Sequence, residues 1–125
     1  MGKYGECAVR AAEIAVQRSI DPKAAWVEAA VRQFPHSASS RNKGCPKGAF
    51  LGLCEEGLVK GIAKGAYTRS TDNKGYSVTA AALLKDKPEL AANKDTLWRL
   101  IPDHPLNENN QMDVVISLWQ KKLIE

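Results

Sequence analysis

The sequence lacks most of the features from which a function is usually read. Only three of its 125 residues are cysteine. Three cannot all pair within one chain, and the spacings Cys7 to Cys45 and Cys45 to Cys54 match no usual zinc pattern. That argues against a disulfide scaffold, and reduced thiols are expected. No apolar run approaches the roughly 20 residues of a membrane helix. Met1 to Arg10 also lacks the hydrophobic region of a signal peptide. No membrane partner is expected, and a cytoplasmic, bacterial-type protein is the default. The chain has no HExxH, no Cys-x-x-Cys, no Walker-type phosphate loop and no Gly-x-Gly-x-x-Gly. There is no linker, repeat or low-complexity tract.

What is present is ordinary in bulk. Hydrophobic residues make up 44% and charged residues 26%, which argues for a folded protein and against disorder. At this length one domain is expected over residues 1–125, with a core that needs no metal or disulfide.

The charge is unevenly placed. Lys and Arg outnumber Asp and Glu by 18 to 14, for a formal net charge of +4. From Arg41 to Lys74 there are seven positive residues, namely Arg41, Lys43, Lys47, Lys60, Lys64, Arg69 and Lys74. Glu55, Glu56 and Asp72 are the only negatives there, and the rest of the chain is neutral. This third is the surface on which an anionic partner is expected. The ordinary alternative is a solvated basic face with no partner.

Periodicity predicts an all-α domain of five or six helices. Tyr4 to about Ser19 is Ala-rich, with Tyr4, Ala8, Ala11, Ala12 and Ala15 on one face. Asp21-Pro22 supplies a cap and a first-turn proline for a second helix, which carries Trp26, Ala29 and Ala30 inward and ends at Pro35. His36 to Lys43 reads as a polar loop. A third helix runs from Cys45-Pro46 to Gly57, where Gly57-Leu58 has the form of a Schellman ending. Val59 to Arg69 reads as an irregular connection. Asn73 to Lys85 reads as a helix with Tyr76, Ala80, Leu83 and Leu84 inward, although Gly75 to Thr79 alternates like a strand. A short extended segment within residues 65–79 is the alternative. Pro88 to Ala92 forms one turn, and Asn93 caps a helix through Leu97, Trp98 and Ile101 that stops at Pro102. Met112, Val115, Ile116, Trp119 and Leu123 define the last helix, with Trp26 and Trp119 expected in the core.

Six of the nine glycines stand at 44, 48, 52, 57, 61 and 65. Gly48 and Gly52 fall inside a helix, where each costs about 0.5–1 kcal/mol relative to Ala. Close packing is the usual compensation, and close approach of a ligand is the other. The run Gly44-Cys45-Pro46-Lys47-Gly48-Ala49-Phe50-Leu51-Gly52-Leu53-Cys54-Glu55-Glu56-Gly57-Leu58-Val59-Lys60-Gly61-Ile62 resembles the signature block of an uncharacterised bacterial domain family. Tyr67 to Ser70 with Asn73-Lys74, the opening Gly2-Lys3-Tyr4-Gly5 and the closing Asn110 to Val115 are similar too. The resemblance implies a small bacterial domain of unknown function. It carries no reaction, cofactor or catalytic residue.

Candidate chemistry is sparse. His36 and His104 lie in different loops, so a zinc site built from Cys45, Cys54 and a loop histidine is a weak prospect, and no metal or cofactor is expected. The helix start at Cys45 to Gly48, with Lys43 and Lys47 alongside, has the free N–H groups that attract anions. A helix-turn-helix reading fails on spacing. Such motifs join their helices by about 3–4 residues, whereas Phe34 and Pro46 stand much further apart. The expected outer face (Lys47, Leu51, Glu55, Glu56) also reads bases poorly. Contact with a nucleic-acid backbone through Arg41, Lys43, Lys60, Lys64 and Arg69 stays open. Cys45 is the one chemical candidate, placed at an expected N-cap where the helix dipole favours a thiolate.

The expected function is a non-enzymatic interaction module. It would bind an acidic protein or nucleic acid through Arg41, Lys43, Cys45, Lys47, Gly48, Lys60, Lys64 and Arg69. The alternative is a small enzyme or redox protein using Cys45, with Cys7 and Cys54 buried and inert.

Overall fold

A computed structural model describes residues 1–125. Seven helical segments and one 3-10 turn follow in order: α1 (Lys3–Arg18), α2 (Pro22–Gln33), α3 (Ala38–Arg41), α4 (Gly44–Glu55), α5 (Thr71–Asp86), the turn Pro88–Ala92, α6 (Lys94–Arg99) and α7 (Gln111–Gln120). Six of these are real helices, and α3 is a single turn of four residues. The chain is all-α, as its periodicity predicts. No helix is long and apolar enough to cross a membrane.

The helix starts and stops follow from local chemistry. Asp21 Oδ1 accepts the Lys23 amide at 2.7 Å, and Pro22 opens α2. Asn93 accepts the Thr96 amide and caps α6. At the end of α4, Gly57 takes φ +75° while its amide bonds to Cys54 O and the Leu58 amide to Leu53 O. Those two bonds make the expected Schellman ending, and only glycine adopts that backbone without strain. α7 ends through the same pair of bonds, from Lys122 to Trp119 and from Leu123 to Leu118. Here Lys122, rather than glycine, occupies the left-handed position with φ +60°.

Tertiary packing centres on α4 and α7. α1 packs antiparallel on α2, with Glu6 meeting Gln33 and Arg18 meeting Glu28, and also touches α7, while α4 rests on α5 and α7. From Gly48 to Cys54 every residue of α4 is buried, and α7 is buried over Met112 and Val114 to Leu118. A helix covered all round carries no amphipathic stripe. The outer face expected for α4 is therefore absent at Leu51, which is buried. Trp26 stacks on Phe50 at 5.4 Å between ring centroids, tying α2 to α4.

Several boundaries differ from expectation. The loop from His36 to Lys43 contains α3, capped where Ser37 Oγ accepts the Ser40 amide. α4 starts at Gly44, so Lys43 is the N-cap and Cys45 lies one residue inside the helix. α5 starts at Thr71, and residues 75–79 are helical; the alternating pattern there forms no strand. With Ser77, Ala80, Ala81 and Leu84 buried, Tyr76 and Leu83 sit at the edge of that face. Trp119 is only half-buried, and the second deeply buried indole is Trp98, whose Nε1 donates to Pro105 O at 3.0 Å. Trp119 stands in the last turn of α7, next to the exposed Gln120.

Candidate functional site

The glycines of α4 serve the packing of α5. A Cβ on Gly52 would stand 2.6 Å from Lys74 Cα, and one on Gly48 would stand 3.0 Å from Asn73 Cβ. Close approach of a helix, not of a ligand, occupies this face. The approach places Lys74 Nζ 2.7 Å from Glu55 Oε2 and 2.9 Å from Glu56 Oε1. Glu55 also accepts the Tyr67 amide at 2.8 Å and the Thr68 amide at 3.3 Å. The Lys74 ammonium, with these two amides, holds the Glu55 carboxyl down at about 2. Glu55 thus pins the irregular segment 62–70 to α4.

A second carboxylate joins the two ends of the sequence. Asp113, in the first turn of α7, accepts the Gly2 amide on Oδ1 at 2.8 Å and the Gly5 amide on Oδ2 at 2.7 Å. Gly2 is the N-cap of α1 and has no capping side chain of its own, so Asp113 does from α7 what a cap residue does locally. A side chain on Gly5 would collide with Ser117 and Asp113, which explains the small residue there.

Beside this junction lies a cleft of about 670 Å³. The start of α1, the end of α2, α3, the N-cap of α4 and the starts of α6 and α7 form its walls. Lys43 stands over the Tyr4 ring, with Nζ 5.7 Å from its centroid. The Tyr4 hydroxyl donates to Ser40 O at 3.0 Å, and its ring packs on Phe34 at 4.8 Å. Lys3, Lys43, Lys94 and His36 all line the cleft. Its one acidic side chain, Asp113, is engaged with the α1 amides. Asn110 forms the rim in a left-handed conformation with φ +71°.

The eight residues singled out in the sequence are not brought together. Lys43 enters the cleft, and Arg41 stands behind its wall with Nη1 donating to Phe34 O at 2.8 Å. Cys45 is half-buried at the start of α4, Lys47 is half-buried, and Gly48 is covered by Ser70 and Asn73. Lys60 lies apart, paired with Glu125 at 2.9 Å. The stem of Lys64 covers Gly57, and Arg69 is exposed on the connection to α5. Sequence reasoning assigned no site role to Lys3, Lys94 or Asp113, although Lys3 and Asp113 fall within the opening and closing blocks that carry the family resemblance. It also treated Lys74 as part of a basic face, although two carboxylates hold it.

Cys7 and Cys54 are fully buried. Burial pushes the Cys7 thiol up to about 12 and raises Cys54 as well. Cys45 is the remaining free thiol, and no hydrogen bond links it to a base. No three His, Cys, Asp or Glu side chains group together as metal ligands.

No curated protein and no solved structure matches the chain. A protein family described as a family of unknown function, DUF6979, matches it over residues 1–125. With that match spanning every helix and both sides of the cleft, the chain belongs to this family.

Proposed function

We propose that the chain is a binding module and not an enzyme, and that its cleft holds an acidic group of a protein partner. The observation that carries this reading is the cationic lining. Lys43 from the basic segment is joined by Lys3 and Lys94 from outside it, and the only carboxylate is engaged elsewhere. Such a concave basic surface draws in anions and steers their approach. The compactness of the group favours carboxylates over a nucleic-acid backbone. A phosphate chain is tracked by an extended row of cations, whereas Lys60 and Lys74 are ion-paired and Lys64 and Arg69 lie outside the cleft.

The test is an amide NMR titration with a glutamate-rich synthetic peptide and, separately, a thymidine oligonucleotide. The peptide is expected to shift the amides of Lys3, Ser37, Lys43 and Asn110, and the shifts should fade with added salt. Lys43→Glu with Lys94→Glu should abolish them, while Cys45→Ser leaves them intact. Shifts that ignore the double reversal, or that only the oligonucleotide produces, defeat the proposal.

A further inference from the structure

The opposite end of α7 carries a second basic surface. Two depressions of about 550 and 540 Å³ share Lys60, Lys85 and Glu125, so they form one continuous groove. Trp119 and Ala91 supply apolar surface, and Lys60, Lys85 and Lys122 surround it. Trp119 is the one indole of the three that is half-buried; Trp26 and Trp98 are enclosed in the core. Lysines near helix ends often do no more than offset the helix dipole. Lys122 departs from that habit, because it occupies the left-handed position of a Schellman ending, where glycine is the easy residue. Lys122 and Trp119 line the same groove.

The residues from Leu123 to Glu125 build one wall of the groove. The Lys60 amide donates to Leu123 O at 2.9 Å, Ile124 is buried to 2% exposure, and the Glu125 carboxylate meets Lys60 Nζ at 2.9 Å. Neither Lys85 nor Lys122 forms a salt bridge, and with three lysines around Glu125 the groove keeps a positive excess. We infer that this groove docks an acidic peptide segment of a partner protein, with an apolar side chain against Trp119 and carboxylates on Lys85 and Lys122. The surface is separate from the cleft, at the other end of α7, and the inference stands without it.

A fluorescein-labelled synthetic peptide of alternating Glu and Leu tests this on the full chain. Fluorescence anisotropy at low salt should report binding, and the tryptophan emission should change as Trp119 is covered. Lys85→Glu with Lys122→Glu should weaken binding at least tenfold, since charge reversal on a desolvated contact opposes the peptide directly. Both sites are exposed, and circular dichroism checks that the fold is kept. Trp119→Phe should retain most of the anisotropy signal while losing the emission change. The Trp119 emission change should persist when Lys43→Glu and Lys94→Glu keep acidic peptide out of the cleft, which separates this surface from it. The inference is overturned by no binding, by unchanged affinity in Lys85→Glu with Lys122→Glu, or by binding lost only when the cleft lysines are reversed. A thymidine oligonucleotide that binds here in place of the peptide overturns it too.

Discussion

Replacing Gly52 by alanine should lower stability, although the same change elsewhere in a helix raises it. Alanine gains about 1 kcal/mol over glycine in a helix interior through the unfolded chain's lost freedom. At Gly75, in α5, a new Cβ meets nothing within 4 Å, so Gly75→Ala should realise about 0.5–1 kcal/mol of that gain. At Gly52 the Cβ would stand 2.6 Å from Lys74 Cα and 2.7 Å from Lys74 Cβ. The nearest obstacle is backbone, and backbone cannot swing aside as a side-chain tip can. α5 must retreat, carrying Lys74 off Glu55 and Glu56 and Asn73 off Gln111. Overpacking of this kind costs about 1–3 kcal/mol. The retreat also loosens a carboxylate that holds two amides of the connection, so the upper half of that range applies. After the propensity gain is subtracted, a net loss of about 1–2 kcal/mol remains. For 125 residues the entropy of unfolding makes 1 kcal/mol worth about 4 °C in Tm. Thermal melts followed by circular dichroism should therefore place Gly52→Ala about 4–8 °C below wild type and Gly75→Ala about 2–4 °C above it. Parallel urea curves should give the same order. A Gly52→Ala protein that melts with or above wild type would refute the close-approach argument for the glycines of α4.

Four further outcomes follow from named contacts. Asp113→Ala should destabilise by about 1–2 kcal/mol, the value of a lost cap, with Asp113→Asn milder; urea unfolding measures both. Glu55, held at about 2 in the fold against 4.5 as its unperturbed value, contributes stability present above about pH 4.5 and lost as pH falls toward 2. Glu55→Gln should flatten that acid limb in urea midpoints taken across the range. Trp26→Ala should cost about 3–5 kcal/mol, and Trp119→Ala clearly less because its indole is half-buried; matched melts decide the order. Alkylation of the native protein, read by mass spectrometry, should modify Cys45 and spare the buried Cys7 and Cys54 until the chain unfolds.

The elements that were legible in the sequence share a property: their determinants lie within a few residues of each other. Asp21-Pro22, Asn93, Gly57-Leu58 and Pro35 each mark a helix end through bonds or clashes inside one turn, whereas α6 stops at Arg99, before the expected stop at Pro102. Where the structure departs from the pattern, burial is set by elements distant in sequence. Leu51 looks outward on a helical wheel, but α4 is covered on every side by α2, α5 and α7. Trp119 has the right spacing for the core, yet it stands in the last turn of α7 and lines a surface groove. The strand alternative over Gly75 to Thr79 fails because alternation over five residues is weaker than sixteen residues of continuous helix.

The candidate site was harder to read for the same physical reason. The most distinctive blocks of the sequence prove to be one packing system. Gly2 and Gly5 receive Asp113, Gly48 and Gly52 receive α5, and Asn73 Oδ1 accepts the Gln111 side chain at 3.0 Å. The partners in the first of these are 111 and 108 residues apart, so each half looks unexplained alone. Glycine and aspartate stand out to pattern reading because they sit at tight, directional contacts that few residues satisfy. The cleft is made differently: Lys3, Lys43 and Lys94 reach it on long, flexible stems from three places in the chain. A lysine can serve such a surface from many backbone positions, so no spacing marks it in advance. Architecture therefore dominates the visible signal here, and the surface we propose for binding is built of residues that the sequence presents as ordinary solvated charge.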